Sequence, residues 1–398
     1  MKDMKVSGGI LLVSGTTIGA AMLALPIVTG FAGFFPSVIL FIFLWAYMTF
    51  TAFLILEVNL WMGEHTNLIT MAKKTLGTTG QVVSWIIYLF LLYTLTTAYM
   101  AGSGPIFIDL IKNIFNFEIP IWFGPIPLLL VFGYFVYQGA HFVDYANRFL
   151  MVGLALTFVA LIVLITPHIH PVFLERSSWP SLITAVSIVS TSFGFHIIIP
   201  TLTDYLNRDI AKVRQAILIG SIIPLVVYII WEGMTLGAIS LEGDHGLAEG
   251  YGKGLDGASL MSLYLKKTTI SQIAAFFSLF AIVTSFLGVS LSLRDFLADG
   301  LKIRKDTQGR LTLYLLTFAP PLLLTLTDPR AFLNALEYAG AFGVVTLLGI
   351  LPVLMVWKGR YQQHRPSEFT VPGGKTALIA AFIISVFIIG LGLVNRLD

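Results

Sequence analysis

Ser14-Gly15-Thr16-Thr17-Ile18-Gly19-Ala20-Ala21, with Pro26 five residues on, interrupts the first apolar stretch of the chain, Val6 to Thr29. A second stretch does the same. Ser187-Ile188-Val189-Ser190-Thr191-Ser192-Phe193-Gly194-Phe195-His196 precedes Pro200. Glycine weakens a helix and lets the backbone open or a ligand come close. In a bilayer such backbone is tolerated only where protein or a water-filled cavity satisfies it. Taken singly, either segment reads equally well as close helix packing through small residues.

The surrounding composition sets these segments in a membrane. Of the 398 residues, 57% are hydrophobic and 11% charged, and mean hydropathy is +0.87. Soluble domains carry about 25% charged residues. Eleven apolar spans of helical length are legible, at about 7–30, 35–61, 81–110, 124–141, 147–167, 181–200, 212–239, 270–294, 310–326, 331–357 and 376–396. Each meets the roughly 20-residue requirement of a bilayer-crossing helix, allowing for uncertain ends. The first is too long for a signal-peptide core and is read as a retained helix. Threaded with the N-terminus in the cytoplasm, only Lys112, Arg176, Lys253, Lys266, Lys267, Arg330 and Arg396 of the 24 Lys and Arg residues fall outside. The positive-inside rule favours that threading, which puts the C-terminus in the periplasm of a bacterial inner-membrane protein. The long outer loop at 240–269 reads as a flexible Gly-rich first half and a short helix from Ala258 to Leu265.

The two interruptions lie in the first and sixth spans. An inverted repeat of five plus five helices puts those spans in corresponding positions, and paired interruptions of this kind point to a transporter's binding site at the midplane. The expected fold is an all-α polytopic membrane protein. It forms one transport domain over 1–398, with repeats at 7–167 and 181–357 and an extra helix at 376–396.

Ser14 to Pro26 resembles the first-helix signature of the hydroxy and aromatic amino acid permeases, and Thr191-Ser192-Phe193-Gly194-Phe195-His196 resembles their sixth-helix motif. These permeases belong to the amino acid–polyamine–organocation group. The resemblance covers the whole chain and implies a leucine-transporter-type 5+5 inverted repeat with eleven helices. It implies an importer of aromatic amino acids working by ion-coupled symport and alternating access, with tyrosine favoured over tryptophan or phenylalanine. Half-helix N-termini suit an anion, so the amides of Gly19, Ala20 and Ala21 would hold the substrate carboxylate. By the same resemblance the carbonyls of Thr17, Val189 and Ser192 would face the ammonium, with Ser190 beside them and Thr16 alongside. Phe193 and Phe195 would flank the side chain, and Tyr93 or Tyr99 would reach the carboxylate.

Sodium-coupled relatives of this fold use an Ala-x-x-Thr-Ser pattern, here Ala281, Thr284 and Ser285. With the carbonyls of Gly15 and Ile18 it would give Na+ five uncharged oxygens. Met22 stands where a second sodium site would need an amide. A proton is the alternative coupling ion, because ionisable groups inside a membrane are costly and usually functional. Glu232, His196 and Glu57 are the candidates, with Glu337 nearer the outer surface.

No cysteine is present, so thiolate chemistry is excluded. No phosphate-binding loop or catalytic constellation is legible, and His168-x-His170 lacks a third metal ligand. The chain reads as no enzyme, with no cofactor beyond a possible sodium ion. Its expected partners are a small amino acid, the coupling ion and the lipid bilayer, without nucleic acid, and it is expected to be a monomer. Other readings are an amino-acid sensor without net transport, a carrier of small hydroxy amino acids such as serine, or a channel.

Overall fold

The computed structural model describes residues 2–64, 66–304 and 306–394. Lys305 and Arg396, both counted in the charge asymmetry, lie outside them, as does the end of the 376–396 span. Among the described residues, ten helices are long and apolar enough to cross a membrane. The bent pair Lys5–Thr17 and Ala21–Thr29, meeting at 54°, makes an eleventh span.

Span 1 is that bent pair. Span 2 is Phe34–Leu60 and span 3 Leu68–Lys112. Span 3 starts earlier than its apolar stretch because Asn67 caps it, accepting the Thr70 amide at 2.9 Å. Gly77 then kinks it at a φ of 81° that few other residues adopt. Spans 4 and 5 are Ile121–Gln138 and Ala140–His168. Span 5 begins several residues before the expected 147, because Gly139 at φ 118° turns the chain directly from one helix into the next. Span 6, Val186–Tyr205, unwinds between Ser192 and His196. Span 7 is Ile210–Ala238, span 8 Thr268–Leu301, span 9 Thr307–Thr327, span 10 Ala331–Tyr361 and span 11 Gly374–Val394.

Both interruptions therefore break their helices. Their flanks are buried: Met22, Leu23, Leu25 and Ile27 of span 1 and Val189, Phe193 and Phe195 of span 6 belong to one apolar core. Span 1 packs on span 7 and span 8 on spans 3 and 5, while span 11 lies against spans 6 and 10. The lipid-facing surface is apolar, as at Phe149, Leu156 and Val163 of span 5.

The loop between spans 7 and 8 corrects one expectation. Its first half is a helix, Leu247–Lys253. Its glycines are offset by an i,i+4 ion pair between Glu249 and Lys253, a left-handed Gly254 at its end and a buried Leu247. The second helix, Gly257–Leu265, forms where a helix was read. Asp256 caps it, accepting the Ala258 amide at 3.0 Å, and also accepts the Ser278 hydroxyl of span 8 at 2.9 Å.

Candidate functional site

A cavity of about 450 Å³ lies between the two breaks. Span 1 lines it with the unbroken run Gly15 to Ala21, and span 6 with Thr191, Gly194, Ile197 and Ile198. Span 3 adds Tyr88, Leu91, Leu92, Leu95 and Tyr99, a stripe at helical spacing. Span 8 adds Thr284, Ser285, Gly288, Val289 and Ser292, span 10 Val344 and Leu348, and span 5 Asn147 and Met151.

The cavity extends toward Leu11 and Leu12, the side on which the chain begins. The other side is shut by the helical hairpin between spans 7 and 8. Gly257 sits so close to the Pro26 ring that a Cβ on it would lie 2.9 Å from Cγ, and Leu247 packs on Gly30.

Around the first break, the Ala20 amide donates to the Ser285 hydroxyl at 2.9 Å. A Cβ on Gly19 would collide with that hydroxyl, which is why glycine stands there. The Met22 and Leu23 amides bond back to Gly19 and Ala20 in the first turn of the outer half-helix, whose N-terminal end opens on the cavity. Thr16 and Thr17 donate to Leu12 and Val13, each at 2.7 Å. Thr284 donates to the carbonyl of Phe280 at 2.8 Å. A hydroxyl has one proton, so these three turn lone pairs rather than donors outward.

The predicted residues divide clearly. Thr16, Thr17, Gly19, Ala20, Ala21, Gly15, Ile18, Thr284 and Ser285 line the cavity, and Ala281 is buried behind it. Val189, Ser190, Ser192, Phe193, Phe195 and His196 do not line it. Ser190 and Ser192 donate back to Val186 and Ile188. Phe193 packs on Tyr228 with ring centroids 5.2 Å apart. His196 pairs through Nε2 with the Thr51 hydroxyl of span 2 at 2.8 Å. Tyr93 faces span 9 and donates to the Leu316 carbonyl at 2.8 Å, whereas Tyr99 reaches the cavity. Glu57 is buried and held by Arg360, whose Nε donates at 2.6 Å, and by the Val371 amide at 2.8 Å. Glu232 is buried away from the cavity, beside Thr29.

Tyr228 of span 7 was not singled out from the sequence. Its hydroxyl is 2.7 Å from the Thr17 carbonyl and 2.9 Å from that of Ser192, so one donor bridges the two breaks. It stands in the apolar run Val226-Val227-Tyr228-Ile229-Ile230, where nothing local distinguishes it from a core tyrosine.

The comparisons with known proteins agree with this architecture. The sequence profile of the tryptophan/tyrosine permease family matches residues 2–392. A tyrosine-specific transport system 1 of Haemophilus influenzae is 35% identical, the match covering 96% of this chain and 95% of that one. A tryptophan-specific transport protein of the same organism is 32% identical over 99% of this chain and 95% of its own. A crystal structure of MhsT in complex with L-phenylalanine superposes with a TM-score of 0.66 at 14% identity, covering 97% of both chains. That likeness carries the leucine-transporter fold. With a broken first and sixth helix around a central cavity, and a profile matched nearly end to end, the chain belongs to the tryptophan/tyrosine permease family.

Proposed function

We propose that this protein imports an aromatic amino acid, tyrosine first, across a bacterial inner membrane by ion-coupled alternating access. The observation that carries the reading is the single cavity reached by both helix breaks and walled by Tyr88, Tyr99 and the leucines of span 3. It has the size and the apolar wall of a small-molecule site. The first-break amides at Gly19 and Ala21 suit a carboxylate. The carbonyls of Thr17 and Ser192 suit an ammonium, once Tyr228 yields them.

The N-terminus lies in the cytoplasm and the C-terminus in the periplasm, as the Lys and Arg asymmetry favours. In that orientation the conformation described here is open to the cytoplasm. The protein acts as a monomeric transport domain, with the repeats at 7–167 and 181–357 moving against each other and the last helix at the periphery.

Sodium is the proposed coupling ion. Gly15, Ile18, Thr284 and Ser285 all line the cavity, and Ala281 lies one turn before the last two on span 8. The lone pairs of Thr284 are available because its proton is spent on its own helix. The test is uptake of radiolabelled tyrosine into proteoliposomes under separately imposed sodium and proton gradients. Accumulation driven by sodium and competed by tryptophan and phenylalanine supports the whole reading. Accumulation driven by the proton gradient alone removes the sodium site. Preference for serine over every aromatic removes the substrate class, equilibration without accumulation indicates a channel, and binding without uptake indicates a sensor.

A further inference from the structure

Glu232 plays no part in the cavity, yet it is wholly buried in span 7, which packs on both the outer half of span 1 and span 2. Its Oε1 lies 2.5 Å from the Thr29 hydroxyl at the end of span 1. The same hydroxyl lies 2.5 Å from the Leu25 carbonyl. Thr29 has one proton, and both the Leu25 carbonyl and an ionised Glu232 can only accept, so the two compete for it. Ser37, at the start of span 2, is the other hydroxyl beside Glu232. Its one proton is likewise contested, by the Gly33 carbonyl at 2.6 Å. The second carboxyl oxygen, Oε2, has no hydrogen-bond partner.

A carboxylate here would draw at most on these two contested protons, with no ion-pair partner among the described residues, and a buried unpaired charge is costly. The neutral acid satisfies the geometry, its O–H donating to Thr29. Among the described residues, the elements packed on span 7 place no cation in an ion pair with Glu232. The outer half of span 1 and the short helix Pro171–Leu174 carry no ionisable side chain, and Arg176, just beyond that helix, lies against Gly33 through its backbone and Cβ. Helix Gly257–Leu265 brings Tyr264 and, at its cap, Asp256, which is taken up by its own amides and Ser278. His168 pairs with Lys267, Tyr47 of span 2 with Ser385, and Glu57 with Arg360. Tyr228, on span 7 itself, is committed to the Thr17 and Ser192 carbonyls. Lys5, His141, Asp144, Arg148, Asp204 and Tyr205 belong to the opposite ends of the neighbouring elements.

We propose that Glu232 is a proton-binding site of the outer gate, and that the outer half of span 1 closes only over the protonated acid. The inference rests on the alternating-access reading but on neither the substrate nor the coupling ion. When the outer half of span 1 swings out, Thr29 leaves and Glu232 meets water, where it ionises. The proton is taken up from the outside on closing and returned there on opening, as an O–H bond to Oε1 made and broken against water. By linkage, acid on the outer face favours the closed gate and alkali the open one.

The absence of native cysteine makes the test direct. Ala258→Cys sets one thiol under the outer hairpin, at a position buried in the closed state. Its labelling by a membrane-impermeant maleimide is measured in proteoliposomes against external pH, relative to the same cysteine in unfolded chain. The expected rate rises up to about tenfold per pH unit, the limit for one linked proton, until opening saturates. In Glu232→Gln, whose amide donates to Thr29 at every pH, the rate is low and flat. A pH-independent rate with Glu232 present, or an unchanged pH response in Glu232→Gln, overturns the proposal. Should Glu232→Gln fail to fold, Thr29→Ala, which removes the acceptor, must weaken the pH response, and an unaltered response overturns the proposal equally. Labelling needs no substrate, so failure of aromatic uptake with an intact pH response would sink the proposed function and leave this inference standing.

Discussion

The two helix breaks look alike in sequence and behave differently in space. At the first, every residue from Gly15 to Ala21 reaches the cavity. At the second, only Thr191, Gly194, Ile197 and Ile198 do, while Ser190, Ser192, Phe193, Phe195 and His196 turn into the protein. The cause is side-chain size. The first break is built almost wholly of small residues, so whichever way the chain turns its backbone is on display. The second carries two phenylalanines and a histidine, which need burial or a partner. They claim the interior face, and Gly194 between the phenylalanines is left to open the other. The first break exposes backbone, and the second exposes one chosen face.

The comparison can be broken first at Gly19. In Gly19→Val a branched side chain collides with the Ser285 hydroxyl and fills the cavity mouth of the outer half-helix. Tyrosine binding and uptake should both be lost, and wild-type affinity measured by scintillation proximity would show that the first break is not the substrate site.

Tyr228→Phe comes next, because it removes the donor shared by the two breaks. Two buried carbonyls lose their partner, at a cost of about 1–3 kcal/mol for an unsatisfied buried group. The expected result is a lower melting temperature without ligand, with much of the loss recovered when tyrosine supplies its ammonium to the same carbonyls. Equal destabilisation with and without ligand would mean that Tyr228 only braces the fold.

Replacing both Thr284 and Ser285 by Ala sharpens the comparison on the ion side. Two of five proposed ligands disappear, and half-maximal uptake should require far more sodium. Unchanged sodium dependence would assign the pair to helix packing.

The smallest effect is expected from Phe195→Leu. A volume-conserving exchange in a core costs under about 1.5 kcal/mol. The order of preference among tyrosine, tryptophan and phenylalanine should not move. A changed order, read from competition of tyrosine uptake, would put Phe195 back against the substrate.

Much of this was legible without coordinates. The breaks, the span count and the fold follow from where glycine and small hydroxyl residues interrupt apolar runs. All of the first-break residues line the cavity, so reading them from the sequence requires no choice of face. At the sixth span the sequence does not choose a face, because that needs the helix phase and unwinding between Ser192 and His196 resets it. Tyr93 and Tyr99 cannot be told apart in sequence for a related reason. Tyr88, Leu92, Leu95 and Tyr99 form the cavity stripe, and Tyr93 lies on another side of the same helix. Tyr228 and Thr51 gave no signal, since a hydroxyl in an apolar run gains meaning only from the carbonyl or imidazole that tertiary packing brings to it. Glu57 could be seen as unusual, but its partner Arg360 is 303 positions away.

The most direct measurement of the central claim uses two neighbouring residues of the second break. Single cysteines replace Gly194 and Phe195 in turn, and each is labelled from the cytoplasmic side with and without tyrosine. The account predicts that Gly194→Cys reacts readily and is protected by tyrosine, while Phe195→Cys reacts slowly whether tyrosine is present or not. Protection at Phe195→Cys with none at Gly194→Cys would contradict it, because the substrate would then lie on the face of span 6 that the structure buries.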